Sequence, residues 1–395
     1  MALLNKIGKP SLADEKNCIG CLACVASCHI GALSSYVGDD GHNYVRLEVD
    51  KCIGCLRCQE VCNHARNNFG VNDISKSSIF AAWTKNESDR ANSTSGGVFA
   101  ALSRTVISNG GAVSGANLNG FDCRHIIITD GKDISKLQGS KYMTSSMEHI
   151  YGEIEKNLKE RDVLFSGLGC QCAGVLAYFE GKTLNHQLYT VDIVCGGAPS
   201  SILIEKYKKI HPETKGLLSF RSKDKYILKV FTNEGEKEIP EKNLILHGFN
   251  CGMTNRYSCY ECPFAKAHRK TNITIGDLWD YSKFFEEHAK GISMVLIHDE
   301  IGMKLLEKSD LFFEEIDWKS TLLKNKRIVC GHQNIYGPRT NLIQNAKKMN
   351  DTRFEKLYCV TMKPMDVDLF IFRVYRYLRE KSLAKKNEKF IQGLL

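Results

Sequence analysis

The sequence predicts a mixed α/β (α+β) protein: a small cysteine-dense N-terminal domain, a larger sheet-and-helix domain, and a C-terminal helical tail. Three observations carry that reading. Cysteines crowd into two matched runs near the N-terminus, strand-like and helix-like runs alternate from about residue 79, and residues 366–390 keep a helical apolar period. A chain of 395 residues has room for two or three domains. Its 43% hydrophobic and 25% charged composition is that of an ordinary folded protein and excludes collagen-like, low-complexity and disordered classes. No apolar run, including the stretch from Ile292 to Ile297 that Ser293 interrupts, approaches the roughly 20 residues that cross a bilayer. The opening MALLNKIGKP holds too short an apolar stretch for a signal peptide. A cytoplasmic protein is the expectation.

The 17 cysteines are an odd number and are clustered, which fits metal-bound thiolates in a reducing compartment better than a disulfide framework. The formal charge of +9 admits an acidic partner. Lys and Arg are spread along the whole chain, however, without a helix-turn-helix, an RRM-like aromatic pair or a basic stripe, so no nucleic-acid partner is expected. Residues 18–28 read CIGCLACVASC and residues 52–62 read CIGCLRCQEVC. In each, three thiolates on a tight loop reach one cubane, while the fourth leaves along a short helix towards the neighbouring cluster. Gly20 and Gly54 free the loop backbone for unusual dihedrals. Zinc is the rival, but it favours CxxC pairs set apart by a spacer.

This repeat resembles a bacterial-type ferredoxin domain with two [4Fe–4S] clusters, here spanning residues 1–66. The resemblance implies that Cys18, Cys21, Cys24 and Cys62 hold one cluster and that Cys52, Cys55, Cys58 and Cys28 hold the other. The usual Pro after each fourth cysteine is replaced by His29 and Asn63. Such clusters move single electrons and do no substrate chemistry alone. The rest of the chain should therefore hold the site where electrons enter or leave.

Residues 67–78 read as a polar linker, 79–345 as the larger domain and 346–395 as a helical, basic tail. Strands are predicted at Gly111–Gly115, His125–Thr129, Val163–Phe165, Tyr189–Val194, Tyr226–Thr232, Ile273–Ile275 and Met294–His298. Helices are predicted at Val98–Ser108, Ile150–Glu160 and Ser201–Ile210, and a hairpin turn at Asn233-Glu234-Gly235. The turn STSGGVFAAL (93–102) suits a phosphate at a helix start, or is an ordinary N-capped helix. QGSKYMTSS (138–146) is a second Gly-Ser turn, with Lys141 beside it. FSGLGCQCAG (165–174) lacks the third glycine of a dinucleotide fingerprint. Cys170 and Cys195 each close a strand, and Cys259 and Cys262 form a CxxC. Strand ends converge in an α/β sheet, so these four either share a third cluster or are, in part, small buried hydrophobes.

Taken together, STSGGVFAAL, QGSKY, SGLGCQCAG, DIVCGGAPS, FRSK, SCYECPFAKAHRKTNITIGDLWD and GISMVLI resemble the β-subunit family of coenzyme F420 hydrogenase/dehydrogenase over about residues 79–310. The resemblance implies non-covalent FAD and a relay between flavin and clusters. Ser95, Gly96, Gly97, Gly139, Ser140, Lys141 and Tyr142 would lie against the flavin or its phosphates. Cys170, Cys195, Cys259 and Cys262 would ligate a third [4Fe–4S] cluster. Lys141 and Arg269 are candidate cations for flavin phosphate, with a solvated surface role the alternative for Arg269. Lys141 and His125 are the weak catalytic candidates, although a lone His in a strand is more often structural. The sequence departs from the family at Leu168-Gly169 (for Thr-Pro), Gly196 (for His) and Asn272 (for Asp). The implied function is an iron–sulfur flavoprotein oxidoreductase exchanging electrons with F420 or another hydride carrier and with a redox partner or ferredoxin. An electron-transfer subunit serving a partner enzyme is the alternative. In the tail, Val367, Phe370, Ile371, Val374 and Leu378 share one helical face, which docks on the core or in a homo-oligomer; a basic membrane-surface helix is the rarer option.

Overall fold

A computed structural model describes residues 8–331 except 68, 224, 242, 251, 253, 280 and 281, together with 343, 347–358 and 367–395. Near the N-terminus, β1 (Leu33–Val37) and β2 (Asn43–Leu47) pair antiparallel, with Leu33 opposite Leu47. A cysteine loop and a short helix flank this hairpin on each side, Ala23–Ser27 and Arg57–Glu60. The internal repeat is visible in the backbone. Gly20 and Gly54 share φ 67°, and Leu22 and Leu56 share φ 61°. Two leucines in the left-handed region are strained, and such strain persists only where the surroundings over-determine it.

The larger domain is built on an eight-stranded sheet. Its members are β3 (Ser78–Thr84), β4 (Ala112–Asn119), β5 (Asp122–Ile128), β6 (Val163–Leu168), β7 (Leu188–Ile193), β11 (Ile273–Asp277), β12 (Ser293–Ile297) and β13 (Leu311–Glu315). They lie in the order β13-β3-β12-β11-β7-β6-β4-β5. The run β4, β6, β7, β11 is parallel, and both flanks are antiparallel. A separate antiparallel sheet holds β8 (Thr214–Ser219), β9 (Ile227–Thr232) and β10 (Gly235–Pro240). Its β9–β10 turn falls at the predicted Asn-Glu-Gly, with Thr232 opposite Gly235.

Every strand and helix predicted for the larger domain is present within a few residues, and β3, β8, β10 and β13 are additional. In β3, Phe80 and Ala82 pack with the helix Val98–Ser108 on one face, while Ile79 and Ala81 pack with Leu322 and Ile328 on the other. A strand buried on both faces shows no polar alternation. β12 divides the same way, Val295 and Ile297 to one core and Met294 and Leu296 to the other.

A further core joins the two domains. Cys21, Leu22 and Ala23 pack with Met147, Ile150, Tyr151, Cys172 and Val175. The Tyr151 hydroxyl donates to the Cys21 carbonyl at 2.6 Å, and the Asn63 amide donates to the Ala173 carbonyl at 2.9 Å. The C-terminal helix Val367–Gln392 ends with Ile391 fully buried beside Leu322. Of its predicted apolar face, Val367, Phe370, Ile371 and Val374 lie outside the residues whose side chains are described. Leu378 is exposed, and among the described residues Ile391 and Leu394 pack the end of the chain on the core.

Gly174 stands where the domains meet. A Cβ there would come within 2.7 Å of Cys21 Cβ and 2.8 Å of the Tyr151 hydroxyl. Gly174→Ala is expected to destabilise the chain by about 1–3 kcal/mol, the usual cost of overpacking. Anaerobic chemical denaturation checks this, and an unchanged midpoint would show that the contact is soft.

Candidate metal centre

The parallel strands place two cysteines side by side. β6 and β7 run in register to Leu168 opposite Ile193; Cys170 follows at the start of the helix Gly169–Phe179, and Cys195 two residues beyond β7. The second pair arrives on the segment around the helix Tyr257–Tyr260. That segment is tied to the loop after β7, because the Arg256 amide donates to the Ala198 carbonyl at 3.0 Å. Backbone N–H groups then point at sulfur: Gly197 to Cys195 Sγ at 3.2 Å and Ala198 to Cys259 Sγ at 3.4 Å. Charge on Cys195, Cys259 or Cys262 is felt by Cys170, whose thiol burial already pushes well up. Burial carries Cys259 to about 12 and Cys195 to about 11. Thiols this desolvated become thiolates only beside a strongly cationic centre.

In the N-terminal domain Cys24 sits among Cys21, Cys18, Cys62 and Cys58, and Cys58 lies beside Cys28 and Cys55. Amide-to-sulfur contacts recur, Ala32 N–H to Cys28 Sγ at 3.2 Å and Gly54 N–H to Cys52 Sγ at 3.4 Å. Among the described residues no three His, Cys, Asp or Glu side chains gather as ligands of a single ion would. A cubane is wider than an ion, and soft, buried, N–H-bonded thiols in fours suit it. Cys172 is outside these sets: fully buried, it directs its thiol to the Val191 carbonyl at 3.7 Å as a core residue.

The two regions of sulfur are close. Cys21 is among the groups that raise the Cys170 thiol. Between them stands Arg256, whose guanidinium donates to the Cys18 carbonyl at 3.4 Å and the Asn43 carbonyl at 3.0 Å and lowers both the Cys18 and Cys259 thiols. Only a residue without a side chain fits opposite it, since a Cβ on Gly20 would lie 2.4 Å from Arg256 Nη2. Arg327 and Asp192 also flank the centre. None of these three was singled out from the sequence; Arg256, three residues before Cys259, is the one a cation-beside-thiolate rule would find.

Arg269 is not on the surface. It is buried and ion-paired to fully buried Asp192 at 2.6 Å, next to Cys195 and Cys262. Its charge is therefore engaged at the thiols. Asn272, where the family pattern has Asp, accepts the Thr190 amide at 2.7 Å and donates to Asp299 at 2.8 Å, a structural role.

The flavin candidates divide. The two Gly-Ser turns meet through the Thr94 and Ser140 hydroxyls at 3.0 Å and from Gln138 to Ser93 Oγ at 3.2 Å. Ser95 donates to the Ile292 carbonyl at 2.7 Å, and the Gly96 amide to Ser293 Oγ at 3.0 Å. A Cβ on Gly96 would meet the Ala82 carbonyl at 2.4 Å, and one on Gly97 the Thr84 methyl at 2.7 Å, so these glycines serve close backbone packing. Gly139, by contrast, is exposed with nothing around it. Lys141 Nζ spends two of its three protons on the Leu137 and Gln138 carbonyls, at 2.8 and 2.7 Å, and burial brings it down to about 8. Tyr142 stacks on Phe249 at 4.0 Å and 10°, and Phe249 closes on Gly196, next to Cys195. A cavity of about 220 Å³ beside Tyr142 is smaller than the roughly 300–1,000 Å³ of ligand pockets. The 138–142 turn is open on the side of Gly139.

Comparison with known proteins agrees with the sulfur chemistry. Residues 17–65 match the 4Fe-4S dicluster domain, and residues 160–315 match the family described as coenzyme F420 hydrogenase/dehydrogenase, C terminus of the beta subunit. Among solved structures, a chain from a xenon-derivatised F420-reducing [NiFe] hydrogenase complex of Methanosarcina barkeri aligns at TM-score 0.44 and 16% identity, over 68% of this chain and 98% of that one. No curated protein matches. The class is therefore an iron–sulfur electron-transfer protein. More specifically, the chain joins a segment that matches the 4Fe–4S dicluster domain to one that matches the C terminus of the beta subunit of coenzyme F420 hydrogenase/dehydrogenase, an oxidoreductase family. The matched span begins at residue 160 rather than near 79, so it contains Cys170, Cys195, Cys259, Cys262 and Arg269 but not residues 93–97 or 138–142.

His125 is buried, with Nε2–H directed to the Ser166 carbonyl at 3.1 Å and Nδ1 facing the Ser145 hydroxyl at 3.1 Å. Burial lowers it to about 4, so it stays neutral and structural. In the unfolded chain it protonates near 6.5. Its contribution to stability is therefore complete above pH 6.5 and declines as pH falls towards 4, by about 3 kcal/mol in all. His125→Gln should flatten the dependence of denaturation free energy on pH across that window by one proton; an unaltered slope would mean the ring already protonates when folded.

Proposed function

We propose that this chain is a flavin- and iron–sulfur-dependent oxidoreductase passing electrons between a hydride carrier and a redox partner through three [4Fe–4S] clusters. The observation that carries the proposal is the convergence of Cys170, Cys195, Cys259 and Cys262 at parallel strand ends, within electrostatic reach of Cys21. When bound, FAD exchanges hydrides and the clusters exchange single electrons, so together they split a hydride into two steps. Lys141 keeps one ammonium proton for a flavin phosphate, and Gly139 and Ser140 leave the approach open. Tyr142 and Phe249 bridge from that approach to Cys195. Arg256 and Arg327 offset thiolate charge, and the buried Arg269–Asp192 pair holds the strand ends.

A second reading, an electron-transfer subunit serving a partner enzyme, draws on the outer quartet. Cys55 is exposed, rimmed by exposed Ile53 and Leu56. Cys21 at the other end is buried against the larger domain. Electrons would thus leave by the Cys52/Cys55/Cys58/Cys28 set to a partner protein. Among the described residues no helix is long and apolar enough to cross a membrane.

Anaerobically reconstituted protein should hold about twelve irons and about one FAD per chain, and the double variant Cys259→Ser/Cys262→Ser about eight irons. Lys141→Met should lower FAD retention about tenfold, the worth of one charge-assisted hydrogen bond. Zinc in place of iron, or iron unchanged in the double variant, would refute the proposal. Stopped-flow mixing with reduced F420, NADH and reduced ferredoxin separates the two readings, since turnover of a small hydride carrier by the chain alone excludes the second.

A further inference from the structure

Behind the strand ends runs a line of polar side chains that the electron path does not use. His298, just past β12, places Nδ1 2.8 Å from Ser77 Oγ and Nε2 2.8 Å from Thr274 Oγ1. Thr274 hydrogen-bonds to Asp192 Oδ1, and Asp192 Oδ2 is paired to Arg269 beside Cys195 and Cys262. On the outer side, Ser77 Oγ lies 3.0 Å from Nδ1 of His268, which is half-buried and reaches solvent. Ser77, Thr274, His298, Asp192 and Arg269 are all buried.

The direction of every proton in this line follows from its ends. The Asp192 carboxylate only accepts, so Thr274 gives it its hydroxyl proton. Thr274 oxygen must then accept from His298 Nε2–H, which leaves Nδ1 as an acceptor. The Arg269 amide, 3.5 Å from Nδ1 and able only to donate, agrees. Ser77 therefore donates to His298 and accepts from His268 Nδ1–H. The chain His268, Ser77, His298, Thr274, Asp192 is a single oriented file of hydrogen bonds from the surface to the ion pair at the thiols. A structural polar cluster needs no such common direction, and none of its members need touch solvent.

We propose that His268, Ser77 and His298 form a proton relay, His298 taking up one proton from solvent when the four-thiol centre accepts one electron. This rests on reading Cys170, Cys195, Cys259 and Cys262 as a cluster site. The electron comes from a low-potential one-electron donor, and the proton from water through His268 and Ser77. Imidazole becomes imidazolium, cancelling the added negative charge, and the proton leaves by the same route on reoxidation. Burial holds His298 well below the ordinary range, so it starts neutral. The charged groups around the relay are Asp73, Lys76 and Lys270 near His268, and Arg269 and Asp192 near His298. Asp299, next in sequence, is turned away to the Gly302 amide and Asn272.

The test is a pH series of redox titrations on the full reconstituted chain with titanium(III) citrate, following each cluster by EPR. One cluster should change its reduced-to-oxidised ratio about tenfold per pH unit at fixed potential, about 59 mV for one electron. That dependence should vanish in His298→Gln and disappear with the cluster itself in Cys259→Ser/Cys262→Ser. Ser77→Ala should keep the equilibrium dependence but slow proton uptake after rapid reduction at least tenfold. A pH-independent cluster in the wild type, or a dependence that survives His298→Gln, overturns the relay. Iron of about eight per chain in the wild type would instead overturn the third-cluster reading. Long-range ¹H–¹⁵N NMR of histidine-labelled protein reads the relay independently of cluster loading: neutral His298 should carry its proton on Nε2 and His268 on Nδ1, and the opposite pair of tautomers overturns the oriented file.

Discussion

Sulfur taken out of water needs positive charge to remain ionised, and this chain buries cysteines at the meeting of its two domains with arginines set beside them. The desolvation that pushes Cys21 to about 12 and Cys259 to about 12 is the same desolvation that makes the junction a packed core. Arg256 sits where both effects meet, its guanidinium held by carbonyls of the small domain while it lowers the thiol of the large one. Around that point the fold is arranged for approach rather than for covering. Gly20 gives way to the arginine, Gly174 to Cys21, and the register of β6 with β7 brings Cys170 level with Cys195.

Much of this was legible in the amino-acid order. Cysteine spacing encodes local geometry, and the shared dihedrals of Gly20 with Gly54 and Leu22 with Leu56 show how closely two copies of one pentapeptide, CIGCL, fold alike. Cys170 and Cys195 could be paired because the strands ahead of them were readable as short apolar runs. What escaped detection depends on contacts distant in sequence. β3 reads as a plain apolar stretch because neighbours cover both its faces. Arg269 looked like one more member of the basic run AKAHRK until its partner Asp192, from another strand, was known. Gly96 and Gly97 suit a phosphate cradle in the sequence; in the fold Gly96 lets the chain pass close to Ala82 of β3 and Ser293 of β12, and Gly97 lies against Thr84 of β3 and the helix Glu87–Ala91.

The buried polar groups show a division of labour. His125 and Asn272 satisfy backbone and hydroxyl partners on every side and close the sheet. Lys141, among the described residues, gives two of its three donors to carbonyls at an open turn. A buried polar group that is fully satisfied mainly specifies structure, whereas one with capacity to spare marks where a ligand belongs.

The small domain looks from its spacing like a detachable cartridge, a ready-made unit spliced in front of another protein. Its surface says otherwise. His42 reaches the Thr254 carbonyl at 3.0 Å, Ser200 donates to the Asp40 carbonyl at 2.5 Å, and Asn63 and Tyr151 each cross the boundary as well. Cutting the chain after residue 66 would strip polar partners from both halves and bare apolar surface on the helix that carries Cys170. Exchanging this unit for another of identical cysteine spacing would therefore require re-tailoring the hairpin β1–β2 and Asn63, the residue after the second run's fourth cysteine, because the unit's identity lies as much in its seam as in its sulfur.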